Sequence, residues 1–241
     1  MSHILCIESG TSTCSVSVAK GEKILALTES HDPVGNHARN LTIFIQKVLS
    51  ESGIAARDLS AVAVSKGPGS YTGLRIGVSV AKGICYGAGI PLIAVSSLEA
   101  MAIGAREWLG KSPSHVWPKL LCPMIDARRM EVYTQLFTPE PKSQSPIEAL
   151  IIDCNSYADY LGRGTVLFFG NGSAKAKEVI THPNALYIEG FMPSSRFMAP
   201  LAHSALMNHD FVDTAYFEPH YLKDFVATKP KNALLGGSTH A

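Results

Sequence analysis

The chain has 241 residues, 46% of them hydrophobic and 17% charged, which excludes a disordered polypeptide and allows one large or two small domains with a hydrophobic core. Its formal net charge of +1 gives no ground for a broad nucleic-acid surface, since clustered Lys and Arg would have to supply one. The longest uncharged stretch, "GICYGAGIPLIAVSSL" at 83–98, is short for a membrane span and contains Pro91, so it reads as buried core.

"MSHILCIESG" passes quickly to Glu8 and polar residues, unlike a signal peptide. The five cysteines, Cys6, Cys14, Cys85, Cys122 and Cys154, are scattered without a CxxC pair. That pattern points to reduced thiols in a cytoplasmic protein rather than a disulfide frame or a structural zinc site.

In chain order, "HILCI", "CSVSVA" and "KILALT" read as three strands, with Lys20-Gly21 as a turn, and so predict an antiparallel meander. From Ala38, apolar residues at Leu41, Phe44, Ile45, Val48 and Leu49 have helical spacing, and Gly53 can end that helix. "SAVAVSKGPG" gives a fourth strand running into a glycine loop, residues 73–86 a second helix, and "GIPLIAVSS" a fifth strand. Ser97 or Ser96 caps a third helix reaching about Trp108, with Glu99 in its first turn. A meander followed by alternating α and β elements predicts a mixed sheet flanked by helices, not an ordinary dinucleotide-binding domain, whose first strand meets its helix directly.

Residues 109–119, "LGKSPSHVWPK", form a Pro- and Ser-rich connection. "LLCPMIDARRMEVYTQLF" then reads as two strands around a polar loop, the second with Val132 and Leu136 on one face and Tyr133, Gln135 and Phe137 on the other. "TPEPKSQSP" is another loop, and "GTVLFFGNGSAKAKEVI" is a strand, a Gly-Asn-Gly turn and a helix start. "PLAHSALMNH" reads as a helix returning to the first domain. The expected division is an N-terminal lobe over 1–105, completed by 196–225, and a smaller lobe over 106–195. No repeat is visible.

The loop "KGPGSYTGLRIG" matches neither GxxxxGK[ST] nor a GxGxxG following the first strand. Gly67 and Gly69 permit backbone angles closed to other residues, and Ser70 or Thr72 can cap the next helix. Two readings stay open, an anion site at a helix N-terminus and a tight strand-to-helix turn with close packing. On the helix, Gly73, Gly77 and Ala81 lie at intervals of four beside Val80 and Ile84, a face that suits close helix packing within the chain or between chains.

"ILCIESGTSTCSVSVA", "SKGPGSYTGLRIGVSVAKGICYGAGIPLIAVSSLEAMA", "MIDARRMEVY", "GNG" and "EPHYLKDF" together resemble the TsaB (YeaZ) family of bacterial proteins, over nearly the whole chain. The resemblance implies an α/β, actin-like (ribonuclease H-like) two-lobed fold with mixed sheets flanked by helices. It also implies a non-catalytic subunit required for threonylcarbamoyl transfer to the adenosine beside the anticodon of tRNA. The partners it implies are a TsaD-type catalytic subunit, a TsaE-type ATPase reached through the complex, and a homodimer in TsaD's absence, with tRNA touched only indirectly and no membrane.

In such a fold the end of the first strand carries an acid that organises metal and phosphate. Glu8 stands there, where the family and its ATPase relatives use Asp, and its longer side chain alters the geometry. Glu8, Ser9, Gly67, Gly69 and Ser70 are therefore the expected remnant of a nucleotide site. No cofactor is required by the chain alone, and ATP or ADP is expected at the complex or weakly in the cleft.

The HxxxH pair by which the catalytic subunit holds metal is missing, because none of the nine histidines are four apart. No catalytic or metal-binding residues are expected. Asp126, Arg128, Arg129 and Glu131 read as a solvated loop, and the Ser9–Ser12 turn has no identifiable histidine base. The partner surface is expected on Leu41, Phe44 and Ile45 of the first helix with Gly73, Gly77, Val80, Ala81 and Ile84 of the second. The alternative readings are an independent weak ATPase or sugar-phosphate kinase, which the fold permits, and a peptidase.

Overall fold

The protein's structure, a computed structural model, describes residues 2–31, 37–111 and 117–223. Residues 112–116 of the expected connection and residues 224–225 of "EPHYLKDF" lie outside the described residues.

β1 (His3–Glu8), β2 (Cys14–Lys20) and β3 (Lys23–Ser30) form the expected antiparallel meander. β4 (Ala61–Gly67) joins β1 in parallel and β5 (Leu92–Ser96) joins β4, giving the sheet order β3-β2-β1-β4-β5. Both faces of β1 and β4 are apolar because both are covered. Ile4, Cys6, Ala61 and Ala63 face one cluster, while their alternating neighbours Leu5, Ile7, Val62 and Val64 face another.

The second of these clusters lies under α1 (His37–Ser52) and α2 (Tyr71–Ala88). Leu41, Ile45 and Val48 supply the inward stripe of α1, and Gly53 follows it with φ +69. α2 is longer at both ends than its periodicity predicts. Ser70 caps it by accepting a hydrogen bond from the Gly73 amide, and Gly89 stops it in the left-handed region at φ +64. Ser96 caps α3 (Ser97–Gly110) by accepting from the Glu99 amide.

The second sheet contains the expected strands β6 (Leu120–Asp126) and β7 (Glu131–Thr134), then β8 (Glu148–Ile151), β9 (Val166–Phe169) and β10 (Ala185–Ile188). Its order is β10-β9-β6-β7-β8, with β6, β7 and β8 antiparallel and β6, β9 and β10 parallel. This is the strand plan of the first sheet repeated, a duplication that no sequence repeat betrays. Val132 and Leu136 face one cluster and Tyr133 and Phe137 another, as their alternation predicts. α4 (Ala158–Leu161) and α5 (Ser173–Val179) accompany this sheet.

Residues of both sheets share one hydrophobic cluster. Ile93 and Val95 from the first meet Leu121, Ile125 and Phe169 from the second, around Leu98 and Met101 of α3. The chain then returns through a short 3-10 turn, Ser195–Met198, into α6 (Ala199–Met207), which packs on β1 and β5. A buried serine network anchors that return: Ser195 Oγ lies 2.9 Å from Ser15 Oγ and 3.0 Å from Ser17 Oγ, and Ser194 Oγ donates to Glu29. These hydroxyls satisfy one another where the outer face of β2 would otherwise bury unpaired polar atoms.

Four cysteines are buried and Cys154 is exposed. Burial pushes the Cys6 and Cys122 thiols up to about 12 and those of Cys14 and Cys85 up to about 11. Thiolate is the reactive form, so at mildly alkaline pH a disulfide-exchange reagent should modify Cys154 alone at once, and the other four only in denaturant. Rapid reaction of more than one thiol in the native protein would contradict this packing.

Candidate functional site

The end of β1 and the glycine loop meet, and the meeting is tight. Glu8 is 1% exposed, and its Oε1 accepts a 2.6 Å hydrogen bond from the Gly10 amide. Ser9 donates its amide to Ser65 Oγ and its hydroxyl to Gly73 O at 2.9 Å, while the Ser70 amide donates to Gly10 O at 2.6 Å. A Cβ added at Gly69 would lie 2.0 Å from Gly10 O, at Gly73 2.1 Å from Ser9 O, and at Gly77 2.2 Å from Ser9 Oγ.

The five residues expected around a nucleotide are thus brought together, and the chain's own β1–β2 turn packs directly on the glycine loop and the start of α2. The Ser70 amide at the helix start, which an anion would need, already has a backbone partner. The Ser70 amide is therefore not offered to a phosphate in this arrangement. A cavity of about 590 Å3 lies beside the second sheet, lined in part by Ser173, Lys177, Tyr187, Phe191 and Met192.

The expected partner surface needs correction as well. Leu41 and Ala81 are fully buried, Ile45 nearly so, and Gly73 and Gly77 press on Ser9, so these five residues belong to the chain's own core. Phe44, Val80 and Ile84 are half-buried at its edge. Spacing by four occurs twice on α2, and the second set, Ser79, Gly83 and Gly87, is the one that faces outward. Nothing lies within 4 Å of a Cβ at Gly83 or Gly87. On the same helix Tyr86 is 90% exposed, and Ile43 on α1 is 50% exposed. The signal for this face was present in the sequence, but periodicity alone does not say which of two small stripes turns inward.

"MIDARRMEVY" and "GNG" also converge. Arg128 and Arg129 adopt φ +70 and +50 in a tight β6–β7 turn, and Lys175 of α5 holds that turn through Asp126 and the carbonyls of Arg129 and Glu131, both at 2.7 Å. Asn171 Oδ1 accepts from the Asp126 amide at 3.0 Å. Asp126 is exposed, and the arrangement is a hairpin clasp.

The late stretch "EPHYLK" packs on the glycine loop. His220 N donates to Lys66 O at 2.7 Å, the Tyr221 and Tyr71 rings lie 4.8 Å apart, and Lys223 pairs with Glu131 of the second sheet. Just before it, Val212 N donates to Leu92 O and Lys82 Nζ to Ala215 O, so residues 212–223 form a strap from the β5 edge across α2 to β7. Burial pushes the Glu99 carboxyl up, and nearby Lys66 offsets this in part.

Just beyond the Ser9–Ser12 turn a histidine does stand near a hydroxyl. His31 Nδ1 is 3.1 Å from Thr13 Oγ1, and its Nε2 is 3.7 Å from Glu29. Thr13 is fully buried, so its hydroxyl cannot meet a peptide carbonyl, and the cluster serves packing. Among the described residues no group of three or more His, Cys, Asp or Glu could hold a metal ion, and no helix is long and apolar enough to cross a membrane.

A family model described as TsaD, tRNA N6-adenosine threonylcarbamoyltransferase, matches residues 31–231. The chain is 32% identical over 195 residues to the tRNA threonylcarbamoyladenosine biosynthesis protein TsaB of Bacillus subtilis, covering 78% of this chain and 79% of that protein. It is 28% identical over 238 residues to the TsaB of Haemophilus influenzae, covering 94% and 95%. A crystal structure of a protein from Pseudomonas aeruginosa, described as similar to peptidase YEAZ, superposes with a TM-score of 0.77 at 24% identity, covering 92% of this chain and all of that one. At that identity the likeness is one of fold, two mixed sheets flanked by helices in the actin-like arrangement.

Proposed function

Because the chain belongs to the TsaB family of tRNA threonylcarbamoyladenosine biosynthesis proteins, we infer that it is a non-catalytic subunit required for threonylcarbamoyl transfer to the adenosine beside the tRNA anticodon. It acts by binding and supporting a TsaD-type catalytic subunit. The observation that carries this reading is the 32% identity to the TsaB of Bacillus subtilis over 78% of this chain, and it is supported by the glycine loop, which closes directly on the β1–β2 turn with the Ser70 amide donated to Gly10 O. The same packing weighs against an independent ATPase or kinase.

On this reading ATP or ADP, where the assembly uses it, is held at the junction with the partner rather than by Glu8 and the glycine loop. The partner surface is the outward side of α1 and α2, with Ile43, Phe44, Val80, Gly83, Tyr86 and Gly87. Small residues there permit close helix approach, and exposed Tyr86 and Ile43 supply the apolar area such a contact buries. A TsaE-type ATPase joins through the complex, tRNA is met indirectly, the compartment is the cytoplasm, and a homodimer borrows the same face when the catalytic subunit is absent.

The test is reconstitution. TsaD-type and TsaE-type subunits supplied with the carbamoylated substrate should modify tRNA only when this chain is added, and this chain alone should modify none. Transfer by the pure chain, or full activity of the set without it, would overturn the reading.

A further inference from the structure

Between α2 and the strap lies a cavity of about 250 Å3, lined by residues that include Tyr71, Arg75, Ser79, Lys82, Glu218 and Tyr221. Over 18 residues α2 carries Arg75 and Lys82 and no carboxylate, so both cations at this cavity come from one helix. Arg75 Nη1 donates to Tyr71 OH at 2.8 Å and its guanidinium lies over that ring, 5.2 Å from the centroid. Lys82 Nζ donates to Ala215 O at 3.0 Å. A guanidinium has five N–H donors and an ammonium three, so each retains donors beyond the one these bonds use. Glu218 is the one carboxylate among the lining residues.

Two features choose the occupant. The cavity has a cationic excess set among tyrosine rings and is large enough for a side chain or two, which suits a carboxylate delivered on a protein segment. Ser79 belongs both to the cavity and to the outward stripe with Gly83 and Gly87, so a helix seated on that stripe brings its neighbouring side chains to the cavity mouth. A second copy of the chain fits poorly, because the α1 and α2 it would present carry a single carboxylate between them, Glu51, to offer Arg75 and Lys82.

We propose that this cavity is a socket for an Asp or Glu side chain of the TsaD-type subunit, and that Arg75 and Lys82 determine the choice of that partner over a second copy. The proposal rests on the partner surface inferred above and adds the chemistry by which it selects.

The experiment is calorimetry of the full chain with a TsaD-type subunit at low and high salt. Arg75→Gln and Lys82→Gln should each weaken binding roughly tenfold, and the double variant should flatten the salt dependence, since exposed charge pairs are screened by ions. Lys82→Arg should retain affinity. Glu218→Gln, which removes the opposing carboxylate, should bind more tightly than the parent, a gain that loss of structure cannot produce. Circular dichroism checks that each variant is folded.

Variants that bind like the parent with the same salt slope overturn the socket while leaving the partner role standing. Lys82-dependent binding of inorganic phosphate, with partner affinity unchanged, overturns it in favour of a phosphate site. Failure of the parent itself to bind the TsaD-type subunit overturns the partner role, and the socket with it.

Discussion

Gly73→Ala is expected to destabilise the fold by about 3 kcal/mol or more, a large effect for one methyl group. The added carbon would lie 2.1 Å from the Ser9 carbonyl oxygen, which is backbone and cannot swing aside as a flexible side chain could. Relief requires α2 to move off β1, which would break the Ser9 Oγ to Gly73 O bond and loosen the cluster containing Val64, Val78 and Ala81. Gly69→Ala meets the Gly10 carbonyl oxygen at 2.0 Å and should behave alike. Gly83→Ala is the control. Nothing lies within 4 Å there, so the better helix propensity of alanine should leave stability unchanged or raise it by up to about 1 kcal/mol. Urea unfolding of the three variants decides the matter, and a Gly73→Ala protein as stable as the parent would falsify the packing described.

Gly83→Trp is the second, expected to leave the fold intact and to weaken binding of the TsaD-type subunit by about one to two decades, the counterpart of roughly 1–3 kcal/mol of overpacking at a close contact. The side chain has open solvent in the free chain and none once a helix lies against the Ser79, Gly83 and Gly87 stripe. Gly77→Leu, in contrast, meets Ser9 Oγ at 2.2 Å and should lose stability before any binding can be judged. Circular dichroism and calorimetry on Gly83→Trp separate the two cases. Undiminished affinity would remove the outer face of α2 from the interface.

Much of the first sheet was legible because its signals are local. Val16 and Val18 alternate, Leu41, Ile45 and Val48 repeat at helical spacing, and the serines before α2 and α3 announce their starts. β8 and β10 were not legible. Each has four residues, and at the two edges of the second sheet only one strand neighbour helps to specify it. The strap was also invisible, because its meaning lies in contacts with β5, α2 and β7, far away in the chain.

By itself the sequence determined the family, the meander, the first three helices and the absence of an HxxxH pair, since these are matters of residue order and near-neighbour periodicity. Only the tertiary structure decided which small face of α2 turns inward, that the β1–β2 turn packs against the glycine loop, and that Arg75 and Lys82 share a cavity with the strap. The reason is that a helix with two glycine stripes is equally able to approach a neighbour on either side. Contact between Ser9 and Gly73, 64 positions apart, settles the orientation through packing that no local pattern encodes.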